Sequence, residues 1–207
     1  MNMLQLDVFI DFKSPYAFLS VKPLRAIAIE YDVVLEWFPY NLNIPEFLGS
    51  IDTRNDHQWR RVKYSYMDAR RLANQRNMTI LGPQKVFDST LASIALLFIK
   101  KFGNIDLFID LVFERFFARS LDIEDTNALA GVVEECGGSS NTFFEYLEKP
   151  GWQEFNHLMK QAETRGVFGV PSFIFEDELF WGNERLDLLT ERFRTNRLSQ
   201  SKSRNRL

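Results

Sequence analysis

Three short segments hold the side chains best suited to chemistry: Ser14-Pro15-Tyr16, Phe168-Gly169-Val170-Pro171 and Trp181-Gly182-Asn183-Glu184-Arg185-Leu186. Ser14 stands between an apolar segment, Leu4 to Phe12, and a helical pattern, Ala17 to Tyr31. A hydroxyl at a strand-to-helix turn lies where a helix start concentrates free N–H groups and positive potential. Such a place holds an anion, and a thiolate is one. Serine is equally a preferred N-cap, and proline a preferred first helical residue. Val170 to Phe175 reads as a strand with Pro171 at its start, either as a cis proline or as an ordinary trans proline at an edge. Val170 beside it could offer its N–H and C=O to an extended peptide. Asn183 reads as a cap for the last helix, whose free N–H groups could receive a carboxylate. Glu184 could hold an ammonium, or simply complement the helix dipole.

The elements that must position these residues follow from hydrophobic period. Leu4, Leu6, Val8, Ile10 and Phe12 alternate as a strand with one polar face, on which Asp11 and Lys13 fall. Ala17, Val21, Leu24, Ala28 and Tyr31 form a helical seam interrupted by Pro23, which should kink it. Val33 to Phe38 is a second strand. From Asp56 to about Asn77 the pattern is helical, with Trp59, Val62, Tyr66, Ala69 and Ala73 on one face. Further helices follow Asp88-Ser89, Asp106 and Asp125-Thr126, with another at Ser140 to Leu147. Trp152 to Arg165 is again helical, then two short strands precede a last helix, Leu186 to about Asn196. The order is βαβ, a helical block, then αββα. It predicts an α/β fold, a thioredoxin-like domain with an inserted all-helical subdomain: residues 1–44 and 149–197 form the thioredoxin-like part, 45–148 the insertion, and 198–207 a disordered basic tail.

Composition narrows the function classes. The 207 residues are 45% hydrophobic and 26% charged, ordinary for a soluble globular chain, and 20 phenylalanines predict an aromatic core. Net charge is −3, but Arg192 to Leu207 carries +6, so residues 1–191 carry −9. An acidic body argues against nucleic-acid binding, which needs clustered cations. The lone Cys136 precludes an internal disulfide, suits a reducing cytoplasm, and reads as a buried inert thiol. No signal peptide and no membrane-spanning apolar run are legible. His57 and His157 lack metal-ligand spacing and read as surface residues, and Arg60-Arg61 and Arg70-Arg71 as a solvated helix face. With serine at 14 and alanine at 17, protein disulfide exchange is excluded at this site.

The order S-P-Y, then F-G-V-P, then W-G-N-E-R-L resembles the 2-hydroxychromene-2-carboxylate isomerases and the kappa-class glutathione transferases, in the disulfide-oxidoreductase-like branch of the thioredoxin superfamily. The segments IPEFLG, KYSYMDARR and GPQKVFDS are similar to bacterial members too. The resemblance implies reduced glutathione as cofactor, a small aromatic substrate, a homodimer and a cytoplasmic setting. It implies that Ser14 donates its hydroxyl to the glutathione sulfur, and that Pro15 and Tyr16 shape the helix start. Val170, before a cis Pro171, would pair with the cysteinyl unit, and Asn183 and Glu184 would hold the γ-glutamyl group. Asn55 is the candidate for the asparagine that contacts glutathione from the loop after the second strand. The family usually has aspartate where this chain has Glu184, which keeps the charge and reaches one methylene further. The implied activity is a glutathione-dependent isomerase that opens a bicyclic aromatic acid. The alternatives are a kappa-like transferase or peroxidase, and a non-catalytic relative binding a thiol compound or a protein. Phe12, Trp37, Tyr40 and Phe168 are candidates for lining the substrate pocket. Lys13 stays unassigned, because strict alternation would turn it away from Ser14.

Overall fold

A parallel pair of strands, β1 (Leu4–Ile10) and β2 (Val33–Pro39), joined through helix α1 (Pro15–Tyr31), forms the nucleus of the fold. The computed structural model describes residues 4–204, with side chains as far as Arg197. Strands β3 (Ser172–Phe175) and β4 (Glu178–Trp181) add antiparallel to β1, giving the order β2-β1-β3-β4. Between β2 and β3 run α2 (Ile44–Leu48), a 3-10 turn (Ile51–Thr53), α3 (Asp56–Gln75), α4 (Thr90–Phe102), α5 (Ile105–Phe117), α6 (Thr126–Glu135), α7 (Ser140–Glu148) and α8 (Pro150–Thr164). A second 3-10 turn (Asn183–Arg185) leads into α9 (Leu186–Arg204). This is the expected thioredoxin-like sheet with inserted helices.

The inserted helices share a core with the sheet. Leu6, Val8 and Ile10 of β1 belong to one apolar cluster with Phe98 of α4, Phe113 and Phe117 of α5, Phe143 of α7 and Phe193 of α9. Phenylalanine supplies its ring pairs: Phe18 of α1 stacks on Phe113 at 5.3 Å and on Phe117 at 5.4 Å. The other sheet face carries Phe9, which with Tyr40, Val170 and Ile174 packs under Ala162 of α8.

Local differences from the sequence reading have local causes. β1 ends at Ile10, two residues early, because Asp11 turns the chain: Lys13 N–H donates to Asp11 Oδ1 at 3.0 Å and Ser14 N–H to the Asp11 carbonyl at 2.9 Å. α1 runs unbroken through Pro23. That proline cannot donate to the Leu19 carbonyl, and Arg76 Nη1 does so instead, at 2.6 Å. Asn183, expected to cap the last helix, instead opens the 3-10 turn before it, which follows Gly182 at φ +105°. α9 continues to Arg204, past Leu198, since neither glycine nor proline stops it. Residues 205–207 of the expected basic tail lie outside the described residues. Among the described residues, no helix is long and apolar enough to cross a membrane.

Candidate functional site

Ser14 caps α1 in extended backbone, and its Oγ accepts from Ala17 N–H at 3.2 Å. Phe18 N–H reaches the Ser14 carbonyl at 3.1 Å, and Pro15 has no N–H, so Tyr16 N–H is left open at the helix start. The Ser14 hydroxyl itself donates to no described residue. Ser14 is 5% exposed and stands on the wall of a cavity of about 600 Å³. A buried hydroxyl with an unspent proton, beside an open helix N–H, is a donor pair for an anion.

The loop before Ser14 is fixed by Asp11. Its carboxylate is fully buried and accepts from Lys13 N–H, from Leu42 N–H at 2.7 Å and from Lys13 Nζ at 2.8 Å. Lys13 Nζ also donates to Ser89 Oγ at 2.9 Å. Lys13 therefore does not turn away: the strand has ended, alternation no longer applies, and its ammonium joins the cavity wall. One carboxylate ties the serine loop to the segment after β2.

The same wall holds Pro15, Tyr16, Leu42, Phe47 and Leu48, then His57, Arg60, Arg61, Tyr64 and Tyr66 of α3, with Val170 and Trp181 opposite in sequence. Its charged side chains are cations without a single acid, in a chain whose first 191 residues sum to −9. Arg60 and Arg61 make no ion pair among the described residues. Tyr16 Oη donates to Asp68 Oδ2 at 2.9 Å, which binds α3 to the start of α1. Burial, then that bond, push the Tyr16 phenol up to about 12. Burial likewise pushes Tyr66 up to about 12, helped by the negative Asp11. A second cavity of about 500 Å³ shares Lys13, Leu42 and Ile44 with the first, and adds Phe87, Phe155 and Met159.

The expected site residues divide. Ser14, Pro15, Tyr16 and Val170 line one cavity. The Val170-Pro171 peptide bond is cis, and Val170 N–H and C=O make no backbone hydrogen bond among the described residues. The Pro171 carbonyl accepts from Gly182 N–H at 2.9 Å. Asn183 and Glu184 follow Trp181 on a turn packed against α1 but stand off the cavity wall. Asn183 Oδ1 is buried without a hydrogen-bond partner, whereas the Glu184 carboxylate is open to solvent. Asn55 is not on the wall: its side chain caps α3, accepting from Gln58 N–H at 2.9 Å in a reciprocal capping box. Of the expected pocket aromatics, Phe12 and Trp37 are core, Tyr40 packs under the sheet, and Phe168 is exposed and tilted on Trp181 at 4.9 Å. Sequence reasoning missed Asp11, Lys13, Tyr66 and the α3 cations. An Asp three residues before a helix-capping Ser was the one available signal.

Cys136 is buried, and burial pushes its thiol up to about 11, so it is no nucleophile. His57 is exposed at the cavity rim, and His157 is exposed elsewhere.

Known proteins bear on this arrangement. A 2-hydroxychromene-2-carboxylate isomerase from Sphingobium xenophagum is 29% identical over 188 residues, 89% of this chain and 95% of that protein. A solved 2-hydroxychromene-2-carboxylate isomerase superposes with a TM-score of 0.77 at 21% identity, covering 97% of this chain and 98% of that one. A probable DsbA oxidoreductase from Streptomyces coelicolor superposes with a TM-score of 0.75 at 14% identity, over 92% and 88% of the two chains. The model of the DsbA-like thioredoxin domain matches residues 5–194, and the chain belongs to that family.

Proposed function

We propose that this protein is a glutathione-dependent isomerase of the 2-hydroxychromene-2-carboxylate type. The observation that carries the reading is the Ser14 cavity: a hydroxyl with an unspent proton at a helix start, ringed by cations and aromatic side chains and by no acid. The similarity to proteins named for that isomerase supports it. Glutathione fits the groups left open there. Ser14 Oγ and Tyr16 N–H suit a sulfur anion, and Val170 N–H and C=O suit a peptide unit; off the wall, on the turn after Trp181, the orphaned Asn183 Oδ1 with Glu184 suits an ammonium.

Bound glutathione supplies a thiol that adds to an electron-poor conjugated carbon of the substrate and leaves again. A free thiol has a pKa of about 8.5, so the protein must favour its anion. Ser14 contributes about 1.5–3 kcal/mol as a donor to a charged acceptor, or about one to two pKa units. Lys13 adds positive charge at the same loop, held by Asp11. The paired cavities, of about 600 and 500 Å³, give room for a tripeptide and a bicyclic acid side by side. Arg60 and Arg61 draw the substrate carboxylate to the mouth. The cations of the Ser14 cavity, with Asp88 and Glu124 lining only the second cavity, favour an aromatic carboxylate over the neutral electrophiles of a general transferase.

Calorimetry with reduced glutathione, followed by assays with a chromene carboxylate and a chlorinated nitrobenzene, tests the proposal. Binding with turnover of the carboxylate is the expected result. Turnover of the nitrobenzene alone would make the protein a transferase, and absence of glutathione binding would leave a non-catalytic relative. The homodimer and the cytoplasmic setting that the resemblance implies are tested by light scattering and by fractionation.

A further inference from the structure

Three tyrosines stand on the wall of the Ser14 cavity, and their hydroxyls differ in what they do. Tyr16 has its proton committed to Asp68. Tyr64 is 58% exposed. Tyr66 is partly buried against the apolar core, and its hydroxyl makes no hydrogen bond with any described residue. A phenol without a protein partner, on the cavity wall that also holds the unspent Ser14 hydroxyl, is free to donate to a ligand oxygen. The neighbouring Ser65 carbonyl accepts from Tyr16 Oη at 3.3 Å, and Asp68 receives the same hydroxyl, so α3 is fastened to the first turn of α1.

We infer, on the isomerase reading, that Tyr66 is a second catalytic residue, whose hydroxyl donates to the carbonyl oxygen of an aromatic 2-oxo acid while a nucleophile adds to its conjugated carbon. The bicyclic acid first opens, its ring carbon–oxygen bond breaking as the hemiketal proton passes to the substrate's phenol oxygen; the carbon–nucleophile bond then forms on the open 2-oxo acid, and the carbon–carbon π pair moves through the conjugated system onto the carbonyl oxygen. Tyr66 stabilises the charge there and keeps its own proton. After rotation about the new single bond the pair returns, and the nucleophile leaves as it came. No oxidant, reductant or net proton is required. Ser14 and Tyr66 thus divide the work, one for the anionic nucleophile and one for the developing oxyanion.

The groups that bear on the phenol agree with a donor role. Asp11 disfavours its ionisation and Arg54 favours it, with burial outweighing both. Lys13, His57, Arg60, Arg61 and Tyr16 face the same cavity, and Asp68 is engaged with Tyr16. The net upward shift keeps Tyr66 protonated through neutral pH.

Tyr66→Phe should lower kcat about 100-fold, the usual loss for one oxyanion donor, and change glutathione affinity less than about twofold. A readout independent of turnover uses benzylidenepyruvate bound without glutathione. A hydrogen bond to its carbonyl moves the absorption band to the red, so the band in Tyr66→Phe should lie to the blue of wild type. Should the variant fail to fold, fluorotyrosine placed at position 66 preserves shape and acidifies the phenol, and the alkaline limb of kcat should then move to lower pH. Unchanged kcat with an unchanged band, or an unmoved alkaline limb, would overturn the role of Tyr66 and leave the isomerase reading intact. Failure of wild-type protein to turn over a chromene carboxylate would overturn that reading instead, with the bound-ligand band still deciding whether Tyr66 is a donor.

Discussion

Replacing Asp11 by asparagine tests whether one buried carboxylate assembles the site. Its two oxygens accept from Lys13 N–H, Leu42 N–H and Lys13 Nζ at 2.7–3.0 Å, with the side chain fully buried and Lys13 only 10% exposed. An asparagine has one acceptor oxygen, so its amide must face either Lys13 N–H or both Leu42 N–H and the ammonium. Either choice leaves buried donors opposed, and the Lys13 charge loses its counterion. Breaking a buried ion pair from one side costs about 3–5 kcal/mol, a large part of the ~5–15 kcal/mol of a typical domain. With a urea m-value of about 2.5 kcal/mol/M, the midpoint should fall by about 1–2 M. Adding Lys13→Met removes the stranded charge and should restore part of the loss, a coupling of at least about 1 kcal/mol in a double-mutant cycle. Equilibrium unfolding of the four proteins supplies every term. An Asp11→Asn protein within about 0.5 kcal/mol of wild type, or strictly additive effects, would refute the reasoning.

The acid-free cavity makes binding of an anionic aromatic acid salt-dependent, so Arg60→Ala with Arg61→Ala should weaken it about fivefold in dilute buffer and much less in 1 M salt; titration calorimetry at both salts checks this. In Gly169→Ala the new Cβ would come within 2.5 Å of Trp181 Nε1, driving the indole from the cavity wall; tryptophan emission should shift and glutathione affinity should fall, and unchanged emission would contradict the packing. Burial raises the Cys136 thiol from 9.0 to about 11, so the folded chain holds that proton where the unfolded chain releases it. Stability should therefore fall as pH rises from about 9 to about 11, and less so in Cys136→Ala, as unfolding at three pH values would show.

Much of the fold could be read from period and punctuation. The alternation in β1, the seam of α1 and the stop at Gly166 announced a βαβ unit and a later strand pair, although β1 lacks the expected polar face, Phe9 being buried opposite Val8 and Ile10. Ser14 and the Val170-Pro171 pair were legible because turn and cap chemistry is local. What escaped was set by tertiary placement. Arg60 and Arg61 sit on a helix face that looks merely solvated and Tyr66 on its apolar seam, and only the attachment of that helix through Tyr16 and Asp68 makes them a wall. Phe12, Trp37 and Tyr40 failed as pocket residues because aromatic type does not distinguish core from lining. Lys13 was misjudged because alternation was carried past Ile10, where Asp11 ends it. Asn183 does not cap the last helix because it opens the 3-10 turn that stands between Gly182 and that helix.

The central claim is that Ser14 stabilises a borrowed thiolate. The most direct measurement is ultraviolet titration of the thiol of bound glutathione in wild-type protein and in Ser14→Ala, with calorimetry confirming occupancy at each pH. Loss of the hydroxyl donor should raise the bound thiol's pKa by about one to two units. An unchanged pKa at full occupancy would make Ser14 a helix cap and nothing more.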